Sequence, residues 1–251
     1  MTKVIMHGCN GRMGHVIADI VSADKDVEMV AGIDAFGDSN YEFPVFKSLE
    51  ECNVECDVII DFSNASAVDN LLDFCEKNNV PVVLCTTGLS EEQLEHVNNV
   101  SKNVAVLKSA NMSVGINVLL KILKEAAPTL AAAGFDIEIV EKHHNQKLDS
   151  PSGTALALAE DINDSIGGDY EFVYDRSSRR EKRPQKEIGI SAVRGGTIVG
   201  DHDVIFAGLD EVVTFSHRAY SRSVFGKGAV EAAKFLAGKP AGLYDMSSVV
   251  K

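Results

Sequence analysis

Two adjacent histidines, a lysine and a Ser-Gly-Thr lie within twelve residues: His143-His144-Asn145-Gln146-Lys147-Leu148-Asp149-Ser150-Pro151-Ser152-Gly153-Thr154. Imidazoles exchange protons near neutral pH and an ammonium can donate one, so this segment can carry acid–base chemistry. The alternating run from Phe135 to Val140 before it predicts a strand, and the alanine-rich run from Thr154 to Glu160 after it predicts a helix. The connecting loop is therefore expected at a sheet edge. There His144, Lys147 and a helix N-terminus, whose free N–H groups attract anions, would converge on one small anionic molecule.

A second motif precedes a helix at the start of the chain. Gly8-Cys9-Asn10-Gly11-Arg12-Met13-Gly14 follows the first apolar run, and a glycine turn there lets backbone N–H groups approach a pyrophosphate. The second apolar run ends in Asp34, placed to accept from adenosine ribose hydroxyls and to repel a 2′-phosphate. No cation follows in Ala35 or Phe36, so NADH is the expected reductant, with NADPH kept open by Arg12. Asp34 also reads as the opening of a turn over 34–40. Two loops end later strands on the expected cofactor side: Cys85-Thr86-Thr87-Gly88 and Ser109-Ala110-Asn111-Met112-Ser113-Val114-Gly115. Their small and hydroxyl side chains would let a nicotinamide lie against backbone, although either loop alone also reads as an ordinary turn.

Composition narrows the class. A formal charge of −13 opposes nucleic-acid binding, because a polyanion would be repelled. The five cysteines, Cys9, Cys52, Cys56, Cys75 and Cys85, are odd in number and lack zinc-ligand spacing, so free thiols and no metal are expected. No apolar run approaches the ~18 residues of a membrane span. A strand beginning at Lys3 leaves no room for a signal peptide, so the expected location is cytoplasmic.

Strand-like runs at Lys3–His7, Glu28–Ile33, Asp57–Asp61, Val80–Leu84 and Val104–Leu107 alternate with helical patterns at Arg12–Ser22, Ala65–Asn78 and Ser90–Asn99. Such alternation predicts an α/β fold with a parallel sheet and ligands at the carboxyl ends of its strands. Past Ser113 come a long helix to Ala133, the strand before His143 and the helix from Thr154. A basic stretch, Asp175–Pro184, follows. Strand-like runs at Lys186–Val193, Thr197–Ala207 and Glu211–His217 and a last helix at Val224–Ala237 complete the chain. Short turns such as Arg194-Gly195-Gly196 predict hairpins in a mixed or antiparallel sheet. The basic stretch reads as a solvated loop, or as a flap carrying Arg176 or Arg183 to an anion.

Taken together with Asp61-Phe62-Ser63, Ile198-Val199-Gly200 and the ending Gly242-Leu243-Tyr244-Asp245-Met246, these motifs resemble the 4-hydroxy-tetrahydrodipicolinate (dihydrodipicolinate) reductase family over essentially the whole chain. The resemblance implies a Rossmann-type N-terminal domain and a second α+β domain whose mixed sheet binds substrate and assembles a homotetramer. The C-terminal helix would return to the first domain, giving residues 1–112 plus 222–251 and residues 113–221. It implies reduction of a small cyclic dicarboxylate in diaminopimelate and lysine synthesis, by hydride delivery from NADH or NADPH to C4 of the dehydrated ring. His143 then matches an acid–base group and Lys147 a proton donor. His144, Gly153 and Thr154 match substrate-binding positions, while Gly8 to Met13, Asp34, Cys85 to Thr87 and Ser109 to Met112 match cofactor positions. Cys85 stands where the family usually has Gly, Met112 where Phe is frequent, and Ala35 where members that accept NADPH well carry Arg. Two rivals remain: another two-domain NAD-dependent dehydrogenase acting on an amino acid or semialdehyde, and an NADH-sensing module without chemistry. The first needs other catalytic residues, often a reactive Cys or a differently placed His, and Cys9 and Cys85 have no identifiable paired base. The second would normally carry a basic DNA-binding element, which the charge of −13 disfavours.

Overall fold

A computed structural model describes residues 1–36, 41–109 and 111–250. They form two compact units, Met1–Val114 with Ser223–Lys251, and Gly115–Arg222. The first unit starts with β1 (Thr2–His7), α1 (Arg12–Ser22), β2 (Val27–Ile33), β3 (Val45–Phe46) and β4 (Val58–Asp61). It continues with α2 (Val68–Asn78), β5 (Val82–Leu84), α3 (Glu91–Val100) and β6 (Ala105–Lys108). Next, α4 (Val114–Ala132), β7 (Asp136–His143), α5 (Gly153–Ser165), β8 (Glu171–Val173), β9 (Glu187–Arg194), β10 (Gly200–Ala207) and β11 (Val212–Ala219) build the second unit. The chain then returns to the first with α6 (Ser223–Leu236), β12 (Gly242–Tyr244) and α7 (Met246–Val249).

In the first unit the strand order is β12-β6-β5-β4-β1-β2-β3, and every neighbouring pair is parallel. Successive side chains alternate between the two faces. Val4, Met6, Val58 and Ile60 pack with Ile17 of α1 and Ala229 and Val230 of α6. Ile5, Ile59 and Val82 point the other way, into Leu71 and Leu72 of α2 and Val97 and Val100 of α3. Both faces are covered, which is why these strands read as unbroken apolar runs. The order reverses between β1 and β4, and a crevice at the carboxyl ends is expected at such a reversal. His7 closes β1 and Asp61 closes β4, paired in register.

The second sheet runs β11-β10-β7-β9-β8. β7 pairs antiparallel with β10 and parallel with β9. This corrects one expectation: Arg194-Gly195-Gly196 does not close a hairpin, because β7 lies between β9 and β10. The turn instead wraps the end of β7, with Gly195 N–H donating to the His143 carbonyl (2.9 Å) and Asn145 N–H to that of Gly196 (3.2 Å). The period of two along β7 buries Ile137, Ile139, Glu141 and His143. Ile137 and Ile139 join Leu123 of α4, Leu158 and Ile162 of α5 and Phe206 of β10 in the core. Val140, Ile205 and Val193 face the other side and stay outside that core.

The basic stretch is an exposed loop along much of its length, but it is not a free flap, because three of its arginines are tied to the sheet. Arg176 donates to Glu138 (2.9 Å) and Glu187 (3.1 Å), Arg179 to Glu187 (2.8 Å), and Arg183 to Asp136 (2.8 Å) and Glu138 (2.9 Å). Arg183 also reaches the carbonyls of Ile137 and Glu187. The cations of Arg176, Arg179 and Arg183 are thus paired with acids on β7 and β9, while Arg180 and Lys182 stay exposed. Among the described residues, no helix is long and apolar enough to cross a membrane.

Candidate functional site

Gly8 leaves β1 at φ +83°, a left-handed conformation that suits glycine, and a Cβ there would lie 2.6 Å from the Phe62 carbonyl oxygen. A Cβ on Gly14 would lie 2.1 Å from the Cys9 carbonyl, so the turn is drawn tightly onto α1. Gly11 is the N-cap and no side chain caps the helix start, which favours an anion there. Asp34, just past β2, accepts from Asn10 N–H and Phe36 N–H, both at 3.0 Å. It opens its own turn and ties it to the glycine turn, while each oxygen keeps a lone pair for a ribose hydroxyl. Gly8, Asn10, Gly11, Asp34, Phe36 and Ser63 line a cleft of about 380 Å³. An uncapped helix start, a close backbone approach and a carboxylate at the end of β2 together fit a dinucleotide.

Several expected cofactor side chains point elsewhere. The Cys9 thiol is buried in the core, and burial, with Asp34, pushes it up to about 11. Met112 is buried in the same core and Cys85 packs against it. Thr86 Oγ1 donates to Asp61 (2.6 Å). Arg12 and Thr87 are exposed and Met13 is half-buried. Ser109 Oγ donates to the Asn111 carbonyl (3.2 Å) and Asn111 Oδ1 accepts from Ser113 N–H (2.8 Å), so that loop is bonded to itself. Ala110 lies outside the described residues.

In the second unit, β7 delivers Glu141 and His143 to one buried face. The Glu141 carboxylate accepts from His143 Nδ1 (2.6 Å), Ser152 N–H (2.9 Å) and both terminal nitrogens of Arg194 (2.7 Å each). Burial pushes Glu141 up, but Arg194, His143 and Ser152 outweigh it and hold the carboxyl below its usual range. A carboxylate only accepts, so the hydrogen of the neutral His143 ring sits on Nδ1 and Nε2 keeps its lone pair. Burial, against the pull of Glu141, pushes His143 down, which keeps the ring neutral at pH 7. A Cβ at Gly200 would lie 3.1 Å from Nε2, so glycine clears that edge.

His202 on β10 sets its ring edge-on to His143, with centroids 5.2 Å apart. Ser152 caps α5 by accepting from Ala155 N–H (3.1 Å), and its hydroxyl meets His202 Nε2 (3.1 Å). His202 Nδ1 is buried without a hydrogen-bond partner among the described residues. Burial, then the neighbouring His143, push His202 down to about 4. The unfolded chain therefore binds a proton near pH 6.5 that the folded chain refuses until about pH 4, and stability falls as pH drops through that window. From pH 7 to pH 5 the expected loss is about 2 kcal/mol. Urea unfolding of His202→Leu should lack this part of the acid dependence; an unchanged dependence would overturn the assignment.

Lys147 pairs with Asp149 (2.9 Å), and its N–H donates to the His144 carbonyl (3.2 Å). The His144 ring is half-buried and makes no hydrogen bond among the described residues. Gly153 opens α5, is exposed, and would meet nothing within 4 Å if given a Cβ; Thr154 is half-buried beside it. His143, His144, Lys147, Gly153 and Thr154 thus all sit on the single connection from β7 into α5. Among the described residues, no group of three or more His, Cys, Asp and Glu side chains is arranged to hold a metal.

Two family models span the chain: "Dihydrodipicolinate reductase, N-terminus" matches residues 2–112 and "Dihydrodipicolinate reductase, C-terminus" matches residues 115–250. The chain belongs to the dihydrodipicolinate reductase family. The 4-hydroxy-tetrahydrodipicolinate reductase of Caldanaerobacter subterraneus subsp. tengcongensis is 54% identical over 100% of this chain and 99% of that protein. Its counterpart in Clostridium tetani is 49% identical over 100% and 97%. A solved structure, dipicolinate-bound dihydrodipicolinate reductase from Paenisporosarcina sp. TG-14, matches with a TM-score of 0.81 at 27% identity, covering 100% of both chains. In this family member the sequence motifs do not disclose Glu141, Arg194 or His202 as partners of His143. The alternation along β7 is a usable signal for Glu141, two positions from His143. Arg194 and His202 arrive from distant strands and leave no local signal.

Proposed function

We propose that this chain reduces 4-hydroxy-tetrahydrodipicolinate to tetrahydrodipicolinate in the cytoplasm, in diaminopimelate and lysine synthesis, with NADH preferred over NADPH. The observation that carries the reading is the neutral His143, anchored by Glu141, on the same connection as Lys147 and the open start of α5. Bound at the glycine turn, the reduced nicotinamide supplies a hydride. The backbone of Gly8 to Met13 holds the pyrophosphate and Asp34 takes the adenosine ribose hydroxyls. On the second unit, Gly153 and Thr154 at the helix start hold one substrate carboxylate, and His144 with Lys147 meets the other. Lys147 Nζ donates the proton to the ring nitrogen on which negative charge develops. His143, an acceptor at Nε2, assists by taking from solvent the proton that replaces the one Lys147 gives up. The side of the second sheet carrying Val140, Val193 and Ile205 supports assembly into a homotetramer.

Following NADH absorbance with enzymatically generated substrate tests the activity; no substrate-dependent oxidation would sink it. Asp34 facing a 2′-phosphate should make KM for NADPH about tenfold higher than for NADH. Asp34→Ala should narrow that ratio, and an NADPH preference in the unaltered chain would overturn the Asp34 argument.

A further inference from the structure

Asp61 ends β4 with no exposed surface. Its carboxylate accepts from His7 Nδ1 (2.7 Å), Ser63 Oγ (2.6 Å), Ser63 N–H (3.2 Å) and Thr86 Oγ1 (2.6 Å). Three of these donors meet Oδ1 and Thr86 meets Oδ2, so the carboxylate is held through both oxygens. His7, directly before Gly8, is thereby fixed by a buried group that cannot turn away to another partner. Because the carboxylate only accepts, the neutral His7 ring carries its hydrogen on Nδ1 and leaves a lone pair on Nε2. That nitrogen has no hydrogen-bond partner among the described residues. The His7 side chain keeps 11% of its surface exposed and lines the same cleft as Gly8 and Asp34.

We propose that His7 is a cofactor-binding residue whose Nε2 accepts a hydrogen bond from a ribose hydroxyl on the nicotinamide side of the dinucleotide. This rests on the dinucleotide reading of the first unit. Phosphates offer no donor to a lone pair, whereas ribose hydroxyls do. The side follows from the sheet order: Asp34, at the end of β2, lies to one side of the glycine turn, while His7 leans on Asp61 of β4, to the other. The two halves of a dinucleotide lie across that reversal, so the half beyond β4 carries the nicotinamide ribose. Ser63 and Thr86 come from the loops after β4 and β5, and through Asp61 they set the imidazole between three strand ends.

Calorimetric binding of NADH, ADP-ribose and ADP to the full chain, unaltered and as His7→Asn, tests this. Asparagine presents an amide N–H close to the place of Nδ1, which keeps a donor for Asp61 and removes Nε2. Kd for NADH and ADP-ribose is expected to rise about five- to tenfold, with ADP changed less than about twofold. Nitrogen-15 NMR of the His7 imidazole in the unaltered chain gives a second readout that no folding defect can blur. There Nε2 should shift on adding NADH or ADP-ribose and stay put with ADP. Equal weakening of all three ligands, an unchanged Kd for NADH, or an Nε2 signal indifferent to NADH would each overturn the proposal. If the unaltered chain binds none of the three, the dinucleotide reading itself fails.

Discussion

Lys147→Ala is expected to lower kcat by about 10²–10⁴-fold, the usual weight of a positioned proton donor, while Kd for NADH stays as it was. The ammonium pairs with Asp149, a carboxylate that is itself largely exposed. Pairs of that kind contribute roughly 0–1 kcal/mol to folding, so the variant should fold and the loss should be one of chemistry. A lysine that only bound a substrate carboxylate would give a different pattern, with KM raised and kcat kept. Lys147→Arg separates the two further, because it keeps the charge but holds its protons too firmly to deliver one. Steady-state kinetics on both variants decides the matter; near-normal kcat in Lys147→Ala would remove Lys147 from the proton path.

The first unit was legible because its signals are local. A buried parallel sheet writes its strands as apolar runs, and the turn after β1 needs glycine at Gly8 for conformation and at Gly14 for room. Helix α1 has the expected bounds, Arg12–Ser22. What escaped were β3, β8 and β12, each of two or three residues and each at the edge of a sheet. Segments that short carry no period. The misread hairpin at Arg194-Gly195-Gly196 has a related cause. Glycines announce that the chain turns, but not which strand it will meet, and here the partner is β7, from an earlier part of the chain.

The site divides in the same way. His143, His144, Lys147, Gly153 and Thr154 are sequence neighbours, so their spacing was readable. Beyond Glu141 on β7 itself, the groups gathered around this pair come from β9 and β10: Arg194 holds Glu141, and His202 sets its ring against His143. Arg194 read as part of a turn, and His202 as one residue of a strand. In the basic stretch Arg180 and Lys182 are exposed, as a solvated loop requires, but Arg176, Arg179 and Arg183 find acids on β7 and β9 that no local pattern announces. A charged run looks solvated until its counter-charges are located in space. Sequence position places Cys9, Cys85, Thr86 and Met112 in loops that follow strands but says nothing of side-chain direction, and here these side chains pack inward.

The buried carboxylate at Glu141 carries the other large expected effect. Glu141→Gln should lower stability by about 3 kcal/mol, the low end for breaking a buried pair, because Arg194 keeps some access to water. Adding Arg194→Met should cost less than the two single changes summed, since it removes the cation left without its partner. A purely structural Glu141 would stop there. Glu141 also draws the His143 ring toward its protonated form, against burial. Without that charge His143 falls further, so the acid limb of kcat/KM should move to lower pH. An amide can in addition donate to Nδ1, which would put the ring hydrogen on Nε2 and remove the acceptor, lowering kcat by about 10²-fold or more. Thermal unfolding and a pH–rate profile on the same preparation separate the two roles. A destabilised variant with kcat and acid limb both unmoved would leave Glu141 as a packing element and take His143 Nε2 out of the proposed mechanism.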